Sequence, residues 1–549
     1  MKPGNVACDS PMSPGINEFR IPGKNSVRLS DCSIHAGLST IPPNVMDIGS
    51  LGGQMSKAID RREFLRLGLF AAASSQLMPQ HSWSFTPRAL PHAASSKKVL
   101  IIGAGLAGLV AGYELTNAGH DVTILEAQLR PGGRVQTVRE PFSDGLYTEA
   151  GAARIPDNHD LTIHYVKHFG LPLVPFFPKN LEMVYLIGGK RIKCRSWGTV
   201  DFSKIPLNLT DEERRLGMSG LQQKYLGEAL TEIGDPSQSN WLSGAAKKYD
   251  SVTLAEFLKE RGASHAAIEL LEYPYGSAED DTVSLLWNLR DYWYPLHETM
   301  RYKIDGGNDR LPKAFAEKLK EKIHYGSPVA RIEQNSTQVR AIVVSAAGTQ
   351  TFEADRLICA IPFPPLRRVE VYPPFSERRQ KAIAELQYDP VTRVILQSRT
   401  RFWEKDGCNG FGASDLPQEI FHTTHDQPGP RALLASYMLG GVGERAAAMD
   451  PESRIVFVSQ QMEKVHPGLL ENLEGSFTKV WPADPWAGGA GSEHAPGQIT
   501  SLCAGLEQPE GRVHFAGEHL SAWPYWMQGA LQSGLRTAKQ VHEAAVTTG

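Results

Sequence analysis

An α/β fold with a parallel sheet at its centre is what this sequence predicts, on three observations. The apolar run Val99–Ile102 reads as a buried parallel strand bounded directly by glycine. Glycines at 103, 105 and 108 then fall as G-x-G-x-x-G. Asp121–Leu125 reads as a second strand and delivers Glu126, 18 residues after Gly108. Strand, glycine turn, helix, second strand and terminal acid together make a Rossmann-type dinucleotide-binding unit.

Each part of the unit has its physical reason. Gly103 makes the tight turn, Gly105 lets backbone approach a pyrophosphate, and Gly108 lets the helix lie close on the strand. Ala104, Leu106 and Ala107, between them, sit where the helix presents its free N–H groups to phosphate. Glu126 stands where a ribose hydroxyl is held.

At 549 residues the chain exceeds one hydrophobic core, so two or three domains are expected. A net charge of −3 gives no reason to expect nucleic acid or a polyanion as partner, and no 18-residue apolar run offers a membrane span. Cys8, Cys32, Cys194, Cys359, Cys408 and Cys503 are scattered, which suits isolated thiols and neither a disulfide framework nor a metal site.

Residues 1–54, rich in Pro, Gly and Ser, read as disordered, or as a mis-assigned start ahead of Met55. Residues 55–95 hold Asp60-Arg61-Arg62-Glu63-Phe64-Leu65-Arg66 and then a short apolar stretch, which look like a twin-arginine export signal. The expectation is export of a folded, cofactor-loaded protein to the periplasm or the medium. The competing reading is a basic amphipathic helix.

The residues after Glu126 select the dinucleotide. Glu126-Ala127 leads to Arg130-Pro131-Gly132-Gly133-Arg134, and Tyr147–Pro156 supplies an acid and a small-residue segment. Near the other end come Val513-His514-Phe515-Ala516-Gly517-Glu518-His519 and Trp526-Met527-Gln528-Gly529-Ala530. In these motifs the chain resembles the flavin-containing amine oxidase superfamily over about residues 96–545, closest to bacterial secreted L-amino-acid oxidases. The resemblance implies FAD, held by the glycine turn and by Ala127, Gly133, Arg134, Gly151, Ala152, Ala153, Arg154, Val329, Trp481, Gly517, Glu518, Trp526, Met527 and Ala530. It also implies a homodimer.

The elements fall in order under that resemblance. FAD-binding segments are expected at 96–160, 299–365 and 496–549, and a mixed-sheet substrate domain at 161–210 and 366–495. A helical insertion is expected over 211–298. Leu161–Phe169 reads as a helix and Met183–Ile192 as a hairpin on Gly188-Gly189. Leu254–Arg261 reads as a helix ended by Gly262.

Five residues carry the expected substrate chemistry. Arg154 stands where L-amino-acid oxidases grip the substrate carboxylate, a group that a guanidinium fork matches bidentately. Trp526 walls the pocket, and the carbonyl of Tyr525 or Trp526 could accept from the amino group. Arg393 replaces a lysine tied to oxygen reactivity in the family; a plain surface arginine is the alternative. His422, with Phe421, falls where amino-acid oxidases contact substrate, although a structural histidine is the commoner outcome. Ala490 stands where monoamine oxidases carry the cysteine that bonds flavin, so FAD should be non-covalent. Gly491 stands where they carry a second cage aromatic, so a roomier pocket is expected.

The function implied is an FAD-dependent L-amino-acid oxidase, acting on aromatic or large apolar amino acids with dioxygen to give 2-oxo acid, ammonia and hydrogen peroxide. The alternatives are an amine or polyamine oxidase, a decarboxylating L-amino-acid monooxygenase, and a non-catalytic FAD protein.

Overall fold

A computed structural model describes residues 89–544, apart from 239–240, 242–243, 245, 275–281 and 417. The expected disordered segment and the twin-arginine motif lie outside the described residues, as do Cys8 and Cys32. The chain joins the fold before the expected residue 96. Ala93 N–H donates to Ala118 O at 2.8 Å, and Leu90 packs on the central core.

The predicted α/β class holds. Strand β1 (Lys98–Ile102) lies between β2 (Asp121–Leu125) and the strand Arg356–Cys359, with Ile323–His324 and Val513–Phe515 at the edges; all five strands are parallel. Alternate side chains of β1 go to opposite faces. Val99 and Ile101 enter one core with helix α1 (Leu106–Asn117), and Leu100 and Ile102 enter another. Burying each such side chain contributes roughly 1.5–3 kcal/mol. That is why the run is continuously apolar.

Helix α1 packs against the C-terminal helix Met527–Glu543, so the two ends of the described chain meet. The crossing is close enough that a Cβ on Gly534 would lie 2.4 Å from Ala107 O. Capping boxes start the helices Asp211–Ile233 (Thr210, Glu213) and Leu254–Glu260 (Thr253, Glu256). With His265–Glu272 and Leu285–Trp293 they bury a core of their own.

The second large sheet runs Leu473–Val480, Thr392–Ser398, Ala432–Tyr437, Glu419–Phe421, Cys408–Ser414, Glu182–Ile187, Lys190–Cys194. It is mixed, because one pair, Cys408–Ser414 with Glu182–Ile187, is parallel among antiparallel neighbours. Its hairpin turns on Gly188 and Gly189, at φ +53° and +75°. Period two along Thr392–Ser398 sends Ile395 to one apolar cluster and Val394 and Leu396 to another. Arg393 therefore shares the face of Ile395, Phe421 and Tyr437.

Candidate active site

One cavity of about 480 Å³ runs from the glycine turn to the second sheet. Its dinucleotide end is lined by Gly103, Gly105, Leu106, Ala107, Glu126, Ala127, Gly133 and, further along, Val329. Gly103 holds φ +101°, open to glycine and strained for other residues. A Cβ on Gly105 would meet nothing within 4 Å, so the space there is open to a ligand. A Cβ on Gly108 would lie 2.0 Å from Gly103 O. Gly108 thus serves the helix–strand contact and is not part of the lining.

Glu126 is anchored rather than free. One carboxylate oxygen accepts from Ala104 N–H at 2.7 Å and the other from Gln128 N–H at 2.8 Å. Ala104, expected to touch the cofactor, acts instead on Glu126 and does not line the cavity. The Glu126 carboxylate keeps spare lone pairs for a ribose diol. Bare glycine backbone, a helix N-terminus and an anchored carboxylate form a cradle that FAD fits.

Arg134 ties the first motif to the last. Its guanidinium donates to Ala490 O at 3.0 Å and to Glu518 at 2.8 Å. Glu518 also accepts from Ser492 Oγ at 3.0 Å and from Tyr525 N–H at 2.6 Å. Burial raises its pKa, but Arg134, His519 and the Tyr525 N–H together outweigh that and hold the carboxyl below its ordinary range. Glu518 lines the cavity, yet its oxygens are taken up by these protein donors. Gly151, Ala152, Ala153, Gly517, Met527 and Ala530 complete this middle section.

The other end is made of charges and rings. Arg154 lies 5.2, 5.7 and 6.0 Å from the ring centres of Phe421, Tyr437 and Trp526, and pairs with Glu419 at 3.2 Å. Arg393 is buried, which disposes of the surface-arginine alternative. It donates to Glu149 O at 2.9 Å and lies 4.4 Å from the Tyr437 ring centre. Burial, then the neighbouring Arg154, lowers its pKa. Burial also pushes Glu149 up to about 7, against hydrogen bonds from Asn308 N–H and Thr137 Oγ1. Trp481 lines the cavity and donates its indole N–H to Ala150 O at 2.9 Å.

Two expectations fail. His422 is buried away from the cavity, its Nδ1 at 2.8 Å from Asn409 O and its ring 4.9 Å from Trp403. Strand alternation is the reason: Phe421 packs towards Arg154, so its neighbour faces the opposite core. The pocket is also not opened by Gly491. A Cβ there would lie 2.2 Å from the Tyr525 ring, which fills the space. Tyr525 does so at φ +75°, a conformation that costs a non-glycine residue about 1–3 kcal/mol.

Sequence reading missed Tyr437, Glu419, Asp389 and Asp291. Tyr437 hides at the end of an apolar run, Ala432–Tyr437. Glu419 could have been found from its place two residues before Phe421. Asp291, on the helix Leu285–Trp293, lies within electrostatic reach of Arg301 and Arg154. Among the described residues no His, Cys, Asp and Glu cluster could hold a metal, and no helix is long and apolar enough to cross a membrane.

Comparison with known proteins agrees with this geometry. Residues 106–542 match the family described as flavin containing amine oxidoreductase. The protein named "Putative L-amino-acid oxidase YobN" from Bacillus subtilis (strain 168) is 35% identical over 459 residues, 81% of this chain and 95% of that protein. The L-amino-acid oxidase of Demansia vestigiata is 29% identical over 464 residues, covering 83% of this chain and 89% of its own length. In fold, the chain is similar to putrescine oxidase bound to putrescine (TM-score 0.69, 21% identity, 81% of this chain and 99% of that one). It is similar in the same way to cyclohexylamine oxidase from Brevibacterium oxydans IH-35A (TM-score 0.69, 23% identity, 82% and 99%). With an FAD cradle at one end of its cavity and a walled, charged pocket at the other, this chain belongs to the flavin-containing amine oxidoreductase family, FAD enzymes that oxidise CH–NH₂ groups.

Proposed function

We propose that the protein is an L-amino-acid oxidase that holds FAD non-covalently and converts its substrate to a 2-oxo acid, ammonia and hydrogen peroxide. One observation carries the reading: Arg154 stands at the end of the FAD cavity, ringed by Phe421, Tyr437 and Trp526. A guanidinium there grips a carboxylate and orients Cα. Arg393 adds a second cation, which makes no ion pair among the described residues and so favours an anionic group. Bound FAD supplies the two-electron chemistry, with hydride taken from Cα and dioxygen as final acceptor. The aromatic walls exclude water and hold the amine beside them, and they favour aromatic or large apolar side chains. The imino acid then hydrolyses in water.

One observation favours an amine as substrate instead. Glu419 already pairs with Arg154, which leaves less of its charge for a carboxylate. Peroxide and ammonia release across all L-amino acids and a set of amines separates the two readings. Equal peroxide and ammonia from a few L-amino acids, with silence from amines, is the expected result. Turnover confined to amines would overturn it. The twin-arginine motif supports export, and protein retained inside cells after Arg61→Lys with Arg62→Lys would bear that out.

A further inference from the structure

A buried carboxyl lies behind the substrate end of the cavity, joined to it by two hydroxyls. Asp389 accepts from Gly440 N–H at 2.8 Å with one oxygen and from Tyr525 OH at 2.5 Å with the other. Tyr437 OH donates to Tyr525 OH at 3.4 Å. Both tyrosines line the cavity, whereas Asp389 is fully buried and does not. Each hydroxyl in this row aims its proton towards Asp389. Strained backbone at Tyr525 and a side-chain-free Gly491 are both needed to seat the middle ring. A pocket wall alone would need neither the hydroxyl nor the acid behind it.

We propose that Tyr437 and Tyr525 relay a proton from the bound substrate ammonium to Asp389, so that the amine is neutral when it is oxidised. The substrate N–H bond breaks and an O–H bond forms on Asp389. Each tyrosine gives one proton as it receives one, and no electrons move. The relay rests on the assigned CH–NH₂ chemistry and does not require that the substrate be an amino acid.

The charged surroundings suit the task. Burial pushes the Asp389 carboxyl above its ordinary range, which makes it a stronger proton acceptor than an exposed carboxylate. Glu493, on the neighbouring strand Ser492–Glu493, is pushed up by burial and by Asp389, which favours its neutral form. Arg393 and Arg154, on the cavity side of Tyr437, disfavour a cation beside them. The α-ammonium of a free amino acid is a weaker acid than Asp389, so the transfer is an uphill but fast prior equilibrium that oxidation of the neutral amine drains. Tyr437 itself, pushed up to about 12 chiefly by burial, remains a hydroxyl throughout.

The test is anaerobic stopped-flow bleaching of the bound flavin by saturating substrate from pH 6 to 10, in the wild type, Asp389→Asn and Tyr525→Phe. Both variants should reduce about tenfold or more slowly at pH 7 and converge on the wild type by pH 10, where free amine is abundant. The pH of half-maximal rate should rise by about one unit or more. A loss equal at every pH, or an unmoved midpoint, would overturn the relay and leave these residues a packing role. Should Asp389→Asn not fold, Tyr525→Phe decides, because it keeps the ring and its packing. Bleaching by amines alone would end the amino-acid reading while the same pH series, run with the amine, still judges the relay. A wild-type flavin that no amine or amino acid bleaches would overturn both.

Discussion

The two ends of the cavity are made by opposite means. At the dinucleotide end, side chains are removed: Gly103, Gly105 and Gly133 bare the backbone, and Glu126 is held by two main-chain N–H groups. At the substrate end, side chains do the building: Arg154, Arg393, Tyr437, Tyr525 and Trp526 converge from distant stretches of the chain. A pyrophosphate needs close approach and N–H dipoles, which any sequence with the right turn provides. A substrate needs charge and shape at chosen points, which only side chains provide. Mutations at the first end should therefore act through backbone space, and at the second through charge.

The largest effect is expected at Gly108. Gly108→Ala puts a methyl 2.0 Å from Gly103 O, a clash that only backbone movement relieves, so yellow, FAD-loaded protein should not be recovered. Gly105→Ala sharpens the contrast, because its methyl meets no protein atom. That variant should melt close to the wild-type apoprotein yet lose flavin absorbance on gel filtration. If both variants bind FAD normally, the backbone account of this end is wrong.

At the substrate end, Arg154→Met should leave FAD content intact and weaken kcat/KM for an L-amino acid by about 100-fold or more, the cost of truncating one partner of a buried charge pair. Unchanged kinetics would break the comparison from its other side.

Glu149 gives a stability test. Its pKa is raised in the fold from about 4.5 to about 7, so the stability it contributes is full below pH 4.5 and is lost as pH rises towards 7. Glu149→Gln should therefore match the wild type near pH 4.5 and exceed it by about 3 kcal/mol at pH 8 in urea unfolding. The smallest effect is expected from His422→Gln, which lies behind the sheet. Its kcat/KM should change less than about twofold, the scale of changes away from such features. A larger kinetic change would bring His422 back into the site.

Much of this asymmetry was legible in the chain. The glycine turn, Glu126, the Arg130–Arg134 stretch and the closing Gly517–Ala530 motif announce their chemistry, because each is short and its parts are near neighbours in sequence. Arg154 was readable from the segment around it. Facing was not: His422 and Phe421 looked alike until strand register sent them to opposite sides. Gly491 looked like open space until Tyr525, 34 residues on, was found to fill it.

The sequence by itself determined the α/β class, the family and the FAD cradle, since local spacing dictates where a backbone can turn and what may approach it. Only the tertiary structure decided which side chains share the pocket. It placed Tyr437 beside Arg393, paired Arg154 with Glu419, and set Asp389 behind Tyr525. The reason is that sheet register and long-range packing, not proximity along the chain, bring such groups together, and no local pattern encodes them.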